Sequence, residues 1–82
     1  MGRLEGKVIL ISGGAKGQGV TESIMFAGEG AKIIIGDILD DEGLKVESQI
    51  RELGGEATFV HLDVTQELDW DNAVKTAIST YG

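Results

Sequence analysis

The chain of 82 residues contains no cysteine, no proline and a single histidine, His61. The absence of cysteine excludes a disulfide framework, thiolate zinc sites and cysteine catalysis. A single histidine excludes a multi-histidine metal site, and no metal site is predicted. Without proline or a low-complexity tract, no segment is typical of an interdomain linker. We therefore expect one small domain that depends on a well-packed core.

Basic residues and long apolar runs are also scarce. The chain has 7 Lys and Arg against 14 Asp and Glu, a formal net charge of −7, and such a chain repels phosphate backbones. No apolar run reaches the length of a membrane span. The N-terminus, "MGRLEGKVIL", lacks the apolar core of a secretion signal. The sequence thus predicts a cytoplasmic protein with neither a nucleic acid nor a membrane as partner.

What the chain does have is a regular alternation of apolar patterns. Three short apolar runs, "KVILIS" (7–12), "KIIIG" (32–36) and "ATFVHL" (57–62), predict strands buried on both faces. Strands separated by helices pair in parallel through right-handed crossovers. The fold class is therefore α/β, an open parallel sheet with helices on both faces and strand order 3-2-1. A fourth strand is expected on the free side of the first strand and is missing from these residues.

Helical spacing follows each predicted strand. The first helix covers 17–28 and ends near Gly30, the second ends at Gly54 and Gly55, and Thr65 is expected to cap the third. The residues expected to face the sheet are Val20, Ile24 and Ala27 in the first helix, Val46, Ile50 and Leu53 in the second, and Trp70, Val74, Ala77 and Ile78 in the third.

A glycine-rich turn, "SGGAKGQG", joins the first strand to the first helix. Backbone N–H groups in such a turn, together with the dipole of the helix, favour a bound phosphate. The turn does not match G-x-G-x-x-G, because Glu22 stands at the third position. It is not a P-loop either, because Val20 stands where the lysine belongs. Taken alone, it could also be a packing turn without a ligand.

Two acids are expected at the same edge of the sheet. Asp37 ends the second strand at the distance typical of an acid that binds the adenosine ribose, which favours NAD over NADP. Lys16 is a contrary hint, since a basic residue in the turn suits NADP. Asp63 and Val64 follow the third strand at the same edge. Either acid could instead be an ordinary turn or capping residue.

The spacing Ser12-Gly13-x-x-x-Gly17-x-Gly19 resembles the T-G-x-x-x-G-x-G signature of the short-chain dehydrogenase/reductase family. The segments "GRLEGKVILISGGAKGQG", "EGAKIIIGDI" and "HLDVT" are similar to its N-terminal half, most of all in bacterial secondary-alcohol and hydroxysteroid dehydrogenases. The resemblance implies a Rossmann-type fold, NAD as cofactor, a secondary alcohol or ketone as substrate, and a homo-oligomer. The cofactor-binding residues it implies are Ser12, Gly13, Ala15, Lys16, Gly17, Gln18, Gly19, Asp37, Ile38, Asp63 and Val64.

The catalytic part of the family pattern is absent from these residues. It consists of an Asn-Asn-Ala-Gly segment, a serine and a Tyr-x-x-x-Lys pair, whereas Tyr81 is the single tyrosine here and has nothing four positions beyond it. We therefore predict no catalytic residue, a structural role for His61 and a packing role for Trp70. Residues 1–82 are expected to form a partial NAD-binding domain of a longer oxidoreductase. Two alternatives stay open: a stand-alone nucleotide-binding module that dimerises through its free strand edge, and a structural fragment without a ligand.

Overall fold

The computed structural model describes residues 4–82. Residues 1–3, part of the segment in which no secretion signal is predicted, lie outside the described residues. The alternation of strands and helices predicted from the sequence is confirmed, with strand boundaries that differ by one residue. The elements are β1 (Val8–Ser12), α1 (Gly17–Gly28), β2 (Lys32–Asp37), α2 (Asp40–Glu52), β3 (Glu56–His61) and α3 (Glu67–Tyr81).

The sheet is parallel, with β2 between β1 and β3. Counted from the β3 side of the sheet, this strand order is 3-2-1. Ser12 lies opposite Gly36, and Asp37 lies opposite His61. The carboxyl ends of all three strands therefore meet at one edge of the sheet, which is where open α/β sheets bind ligands.

The isoleucine run of β2 forms the centre of the core because it is covered on both faces. Ile33 and Ile35 pack with α1 and α2, whereas Ile34 packs with α3, and all three are fully buried. This three-layer packing explains a continuous apolar run instead of an alternating one. The outer strand β1 is less covered than expected, with Val8 39% exposed.

The helix faces predicted for α1 and α2 are confirmed except at one residue. Val20, Ile24 and Ala27 pack against the core, and Val46 and Ile50 are buried in it. Leu53 is the exception. It is 70% exposed, because it is the C-cap residue of α2 and points away from the sheet.

The predicted inward face of α3 is wrong for three of its four residues. Trp70, Val74 and Ile78 are 36%, 50% and 64% exposed. The helix instead packs through Ala73, which is fully buried, together with Ala77 and Tyr81. The small side chain of Ala73 lets the helix approach the sheet closely, whereas a face led by Trp70 would hold it away.

The start of α3 also differs from the prediction. The N-cap residue is Gln66, not Thr65. The Thr65 hydroxyl donates to Asp63 Oδ1 at 2.6 Å, and the Thr65 N–H donates to the same oxygen at 2.9 Å. Thr65 is therefore part of the turn after β3 and does not accept a hydrogen bond from the helix.

The two outer edges of the sheet differ. At β3, side chains of α2 occupy the outward backbone groups: Glu47 Oε2 accepts the Phe59 N–H at 2.6 Å, and Arg51 Nε donates to the Ala57 carbonyl at 3.0 Å. At β1, the Gly13 N–H and the Lys7 carbonyl bond to β2, so the backbone N–H and carbonyl groups of the alternate residues, among them Leu10, point to the outer side of β1. Within residues 4–82 no strand pairs with that outer side of β1.

The longest helix of the described residues, α3, has 15 residues. No helix within residues 4–82 is long and apolar enough to cross a membrane.

Candidate nucleotide-binding site

The glycine-rich turn is fixed to the sheet by backbone hydrogen bonds. The Gly13 N–H donates to the Gly36 carbonyl at 2.7 Å, and the Gly14 N–H approaches the same oxygen at 3.3 Å. Gly13 has φ +71°, and Gly17, at the first position of α1, has φ +51°. Both angles lie in the left-handed region that side chains avoid, so the path of this turn requires glycine.

Two further glycines are needed because atoms pack closely against them. A Cβ on Gly19 would overlap the carbonyl of Gly13, and one on Gly14 would lie 2.9 Å from Ile35 Cγ2. The start of α1 therefore rests directly on the turn. The sequence motif identified Gly19 but not Gly14, whose only signal is that it follows Gly13 in a glycine pair.

The N-terminus of α1 is open to an anion. Among the described residues, no hydrogen-bond partner is recorded for the backbone N–H of Gly17 or Gln18. No acidic side chain occupies the first turn of α1, whereas Asp40 begins α2 and Glu67 begins α3. The positive end of the helix dipole and the free donors can therefore accept a phosphate. Lys16, the N-cap residue, is exposed beside them.

Asp37 connects the glycine turn to the loop after β2. It is the last residue of β2 and is 8% exposed. Its Oδ2 accepts the Ala15 N–H at 3.1 Å, and its Oδ1 accepts the Leu39 N–H at 3.1 Å. An ionised carboxylate has about four acceptor positions, so each oxygen can still accept a second hydrogen bond. This arrangement can bind a pair of hydroxyl groups.

Asp63 is held in the turn that follows β3. Hydrogen bonds from the Thr65 hydroxyl and N–H keep the pKa of its carboxyl below the usual range. The Asp63 N–H donates to Asp69 Oδ2 at 2.9 Å, and the Val64 carbonyl accepts the Trp70 Nε1–H at 3.0 Å. The sequence did not reveal these two contacts, because they join the turn to α3 across six positions.

Exposed apolar side chains lie next to both acids. Ile38, after Asp37, is 57% exposed, and Val64, after Asp63, is 56% exposed. They belong to neighbouring loops, because β2 and β3 are paired up to Asp37 and His61. Exposed apolar groups at this edge can cover the faces of a flat ring.

The opposite end of the sheet, where the strands begin, carries none of these groups. There the Tyr81 hydroxyl lies 3.0 Å from Thr58 Oγ1, and Lys32 Nζ lies 5.9 Å from the centre of the Tyr81 ring. A groove of about 290 Å³ between the C-terminal ends of α1 and α2 is lined by apolar residues and glycines, including Ile24 and Leu53. It has no charged group to hold a phosphate. In the part of the chain that the structure describes, no cluster of acidic or histidine side chains could hold a metal ion.

Comparison with known proteins agrees with this geometry. The family model for short chain dehydrogenases matches residues 7–82. The chain is 51% identical over 81 residues to the 3-alpha-(or 20-beta)-hydroxysteroid dehydrogenase of Mycobacterium tuberculosis, covering 99% of this chain and 30% of that protein. It is 46% identical over 80 residues to the 2,5-dichloro-2,5-cyclohexadiene-1,4-diol dehydrogenase of Sphingobium indicum, covering 98% of this chain and 32% of that protein.

A solved structure has the same fold. The hydroxysteroid dehydrogenase from Escherichia coli superimposes with a TM-score of 0.94 at 36% identity, covering 98% of this chain and 33% of that one. The chain thus spans about a third of the length of the proteins it matches. Since the family model matches nearly all of it and its strands and helices follow the Rossmann-type pattern, we conclude that this chain belongs to the short-chain dehydrogenase family.

Proposed function

We propose that this chain binds the adenosine diphosphate half of NAD and forms the cofactor-binding part of an alcohol dehydrogenase. Dehydrogenases of this family use a nicotinamide cofactor. The observation that carries the proposal is the hydrogen bond from the Ala15 N–H to Asp37 Oδ2 at 3.1 Å. It joins the buried carboxylate of Asp37 to the glycine turn that leads into α1, and this supports a shared site for a phosphate and a ribose.

The glycine turn is proposed to bind the pyrophosphate. The N–H groups of Gly17 and Gln18 would donate to its oxygens, while Gly13 and Gly19 allow the turn to pack against the start of α1. Ser12, at the end of β1, and the exposed Lys16 border the same turn. A side chain at Gly19 would push the start of α1 away from the turn, and one at Gly13 would strain the backbone path, so either change would displace the backbone donors.

The two acids are proposed to bind the adenosine. Asp37 would accept hydrogen bonds from both ribose hydroxyls through the positions its backbone donors leave free. Asp63 would accept from the adenine amino group, with Ile38 and Val64 against the ring. NAD supplies the hydride chemistry when bound, and the chain's own residues hold and orient its adenosine end.

The position of Asp37 favours NAD over NADP. A phosphate on the ribose 2′ oxygen would lie against this carboxylate, and like charges at that distance are costly. The carboxylate cannot turn away without losing its bonds to Ala15 and Leu39. Lys16 is the one basic residue of the glycine turn that could offset the repulsion.

The substrate is proposed to be a secondary alcohol, or the matching ketone, carried on a ring. Two of the similar proteins are named as dehydrogenases of a hydroxysteroid and of a cyclohexadiene diol. Tyr81 lies at the far edge of the sheet, so no catalytic role is assigned within residues 4–82. We expect hydride transfer to depend on residues beyond this segment, with a further strand on the outer side of β1 and assembly as a homo-oligomer.

Calorimetric titration of the natural gene product with NAD, NADP and ADP-ribose tests this function. We expect both NAD and ADP-ribose to bind, because residues 4–82 are proposed to hold the adenosine diphosphate half that the two ligands share. We expect NADP to bind at least about tenfold more weakly than NAD because of the charge on Asp37. Tighter binding of NADP than of NAD would contradict the role of Asp37. No binding of any of the three would contradict the function.

A further inference from the structure

A hydrogen bond between His61 and Asp40 joins β3 to α2. His61 Nδ1 lies 2.7 Å from Asp40 Oδ1. His61 is the last residue of β3, and Asp40 is the first residue of α2. The two are 21 positions apart in sequence, so the contact is tertiary. The sequence predicts only a structural role for His61, and it does not single out Asp40 as a site residue.

The pair lies at the base of both loops assigned to the adenosine. Asp40 follows Asp37 by three positions, and His61 precedes Asp63 by two. The segment from Asp37 to Asp40 is held by three contacts outside itself: the Asp37 carboxylate accepts the Ala15 N–H, the Asp37 carbonyl accepts the Leu62 N–H at 2.9 Å, and Asp40 bonds to His61. Asp37 stays bonded to Leu62 without the His61 contact, but loss of that contact would let the first turn of α2, and with it Ile38, move more freely relative to the end of β3.

Acidic side chains from three elements face the His61 imidazole. They are Asp40 on α2, Asp63 in the turn after β3 and Asp69 on α3. The hydrogen bond to Asp40 is the main cause that raises the pKa of His61 above its ordinary 6.5. The negative charges of all three add to it, and partial desolvation opposes it. The bond is therefore strongest when the imidazole carries its proton.

We propose that His61 is a positioning residue of the cofactor site, which fixes the loop of Asp37 against the loop of Asp63 through its hydrogen bond to Asp40. The inference rests on the proposed binding of the adenosine diphosphate half of NAD. His61 does not touch the cofactor in this account, and it acts through Asp40. The consequence is that the affinity of the protein for the adenosine diphosphate half of the cofactor depends on the protonation of His61.

The sign of this dependence follows from the raised pKa. The contribution of the protonated imidazole is present below its ordinary pKa of 6.5 and is lost as the pH rises through the raised pKa of the folded protein. The affinity should therefore be highest near pH 6 and should fall toward pH 9. Both side chains are more than half exposed, and such pairs have modest effects, so we expect a decrease of about two- to five-fold.

The test is the dissociation constant of ADP-ribose for the natural gene product, measured by calorimetry at several pH values from 6 to 9. ADP-ribose lacks the nicotinamide, so turnover does not enter the measurement. His61→Gln and Asp40→Asn should remove the pH dependence and should bind no more tightly at any pH than the unchanged protein does near pH 9. Asp41→Asn is the matched control, because it removes the same charge from the same turn of α2 and the structure records no bond between Asp41 and His61.

Asp41→Asn should keep the pH dependence of the unchanged protein. The inference is overturned if His61→Gln keeps that dependence, or if Asp41→Asn loses it to the same extent as Asp40→Asn. A flat profile in a protein that binds ADP-ribose overturns this inference and leaves the proposed function standing. A protein that does not bind ADP-ribose at any pH overturns both.

Discussion

Asp37 and Ala15, 22 positions apart, are joined by a hydrogen bond from the Ala15 N–H to Asp37 Oδ2 at 3.1 Å. The other oxygen, Oδ1, accepts the Leu39 N–H at the same distance. One nearly buried carboxylate therefore fixes the glycine turn and the loop after β2 together. In this family member, the residue proposed to bind the ribose is also part of the framework that holds the glycine turn.

Asp37→Asn should lower both stability and cofactor affinity. An amide has one acceptor oxygen, so its NH₂ group would face either the Ala15 N–H or the Leu39 N–H and leave that donor without an acceptor. We expect the free energy of unfolding to fall by about 1–3 kcal/mol, as for other unsatisfied buried donors. Urea unfolding measures this loss. Asp41→Asn, on the exposed side of α2, should change the free energy by less than about 0.5 kcal/mol. Equal losses in both variants would contradict the framework role of Asp37.

Gly19→Ala should abolish most of the binding of NAD. The added Cβ would overlap the Gly13 carbonyl, so the turn and the start of α1 must move apart. We expect at least a roughly tenfold rise in the dissociation constant, since backbone donors to an anion act only at short range. Titration of NAD into the variant measures the change. An affinity within twofold of the unchanged protein would show that the close contact is not needed for binding.

Gly28→Ala, at the other end of α1, should stabilise the chain. Gly28 is helical, and a Cβ there would meet no atom within 4 Å. Alanine is favoured over glycine in a helix by up to about 1 kcal/mol. Thermal unfolding should show a higher midpoint. The NAD affinity should stay unchanged, because Gly28 lines the groove between the C-terminal ends of α1 and α2, away from the proposed cofactor site. A lower midpoint would mean that α1 and α2 pack more tightly there than the structure indicates.

Glu47→Ala should open the outer edge of β3. Glu47 Oε2 accepts the Phe59 N–H at 2.6 Å on the side of β3 that no strand covers in the described residues. Its loss should speed amide hydrogen exchange at Phe59 and lower the free energy of unfolding by about 1 kcal/mol. Glu47→Gln retains an acceptor oxygen and should restore most of the protection. Unchanged exchange at Phe59 in the alanine variant would exclude Glu47 as the group that protects this edge.

The turn after β3 should loosen in acid. Hydrogen bonds from Thr65 keep the pKa of Asp63 below its ordinary 3.8, so the carboxylate stabilises the turn above that value. The stabilisation is lost as the pH falls through the lower pKa of the folded state. Thr65→Val removes the hydroxyl donor, and the Asp63 pKa should then move up toward 3.8. Titration followed by the carboxyl carbon resonance of Asp63 measures it, and an unchanged value would assign the shift to another cause.

The sequence predicted the strands, the glycine turn and the place of Asp37 because these depend on local pattern. A short continuous run of β-branched residues such as "KIIIG" is typical of a strand covered on both faces, and an acid at the end of a parallel strand lies at the carboxyl edge of the sheet. The resemblance to the short-chain dehydrogenase family is confirmed by the family model over residues 7–82.

The face of α3 could not be predicted in the same way. Its apolar residues fill more than one stripe, and periodicity favours the larger side chains of Trp70 and Val74. The observed contact is made by Ala73, because close approach to the sheet favours the smallest side chain. The bonds of Asp40 to His61 and of Glu47 to Phe59 were missed for a related reason. They join residues 21 and 12 positions apart, and only the tertiary fold brings such residues together.

Amide chemical shifts measured during titration with ADP-ribose test the central claim most directly. The claim is that the carboxyl edge of the sheet binds the adenosine diphosphate half of the cofactor. We predict saturable shifts at Gly17, Gln18, Leu39 and Val64, with no change at Leu53 in the groove at the opposite edge. Shifts confined to that groove, or none at all in the folded protein, would contradict the claim.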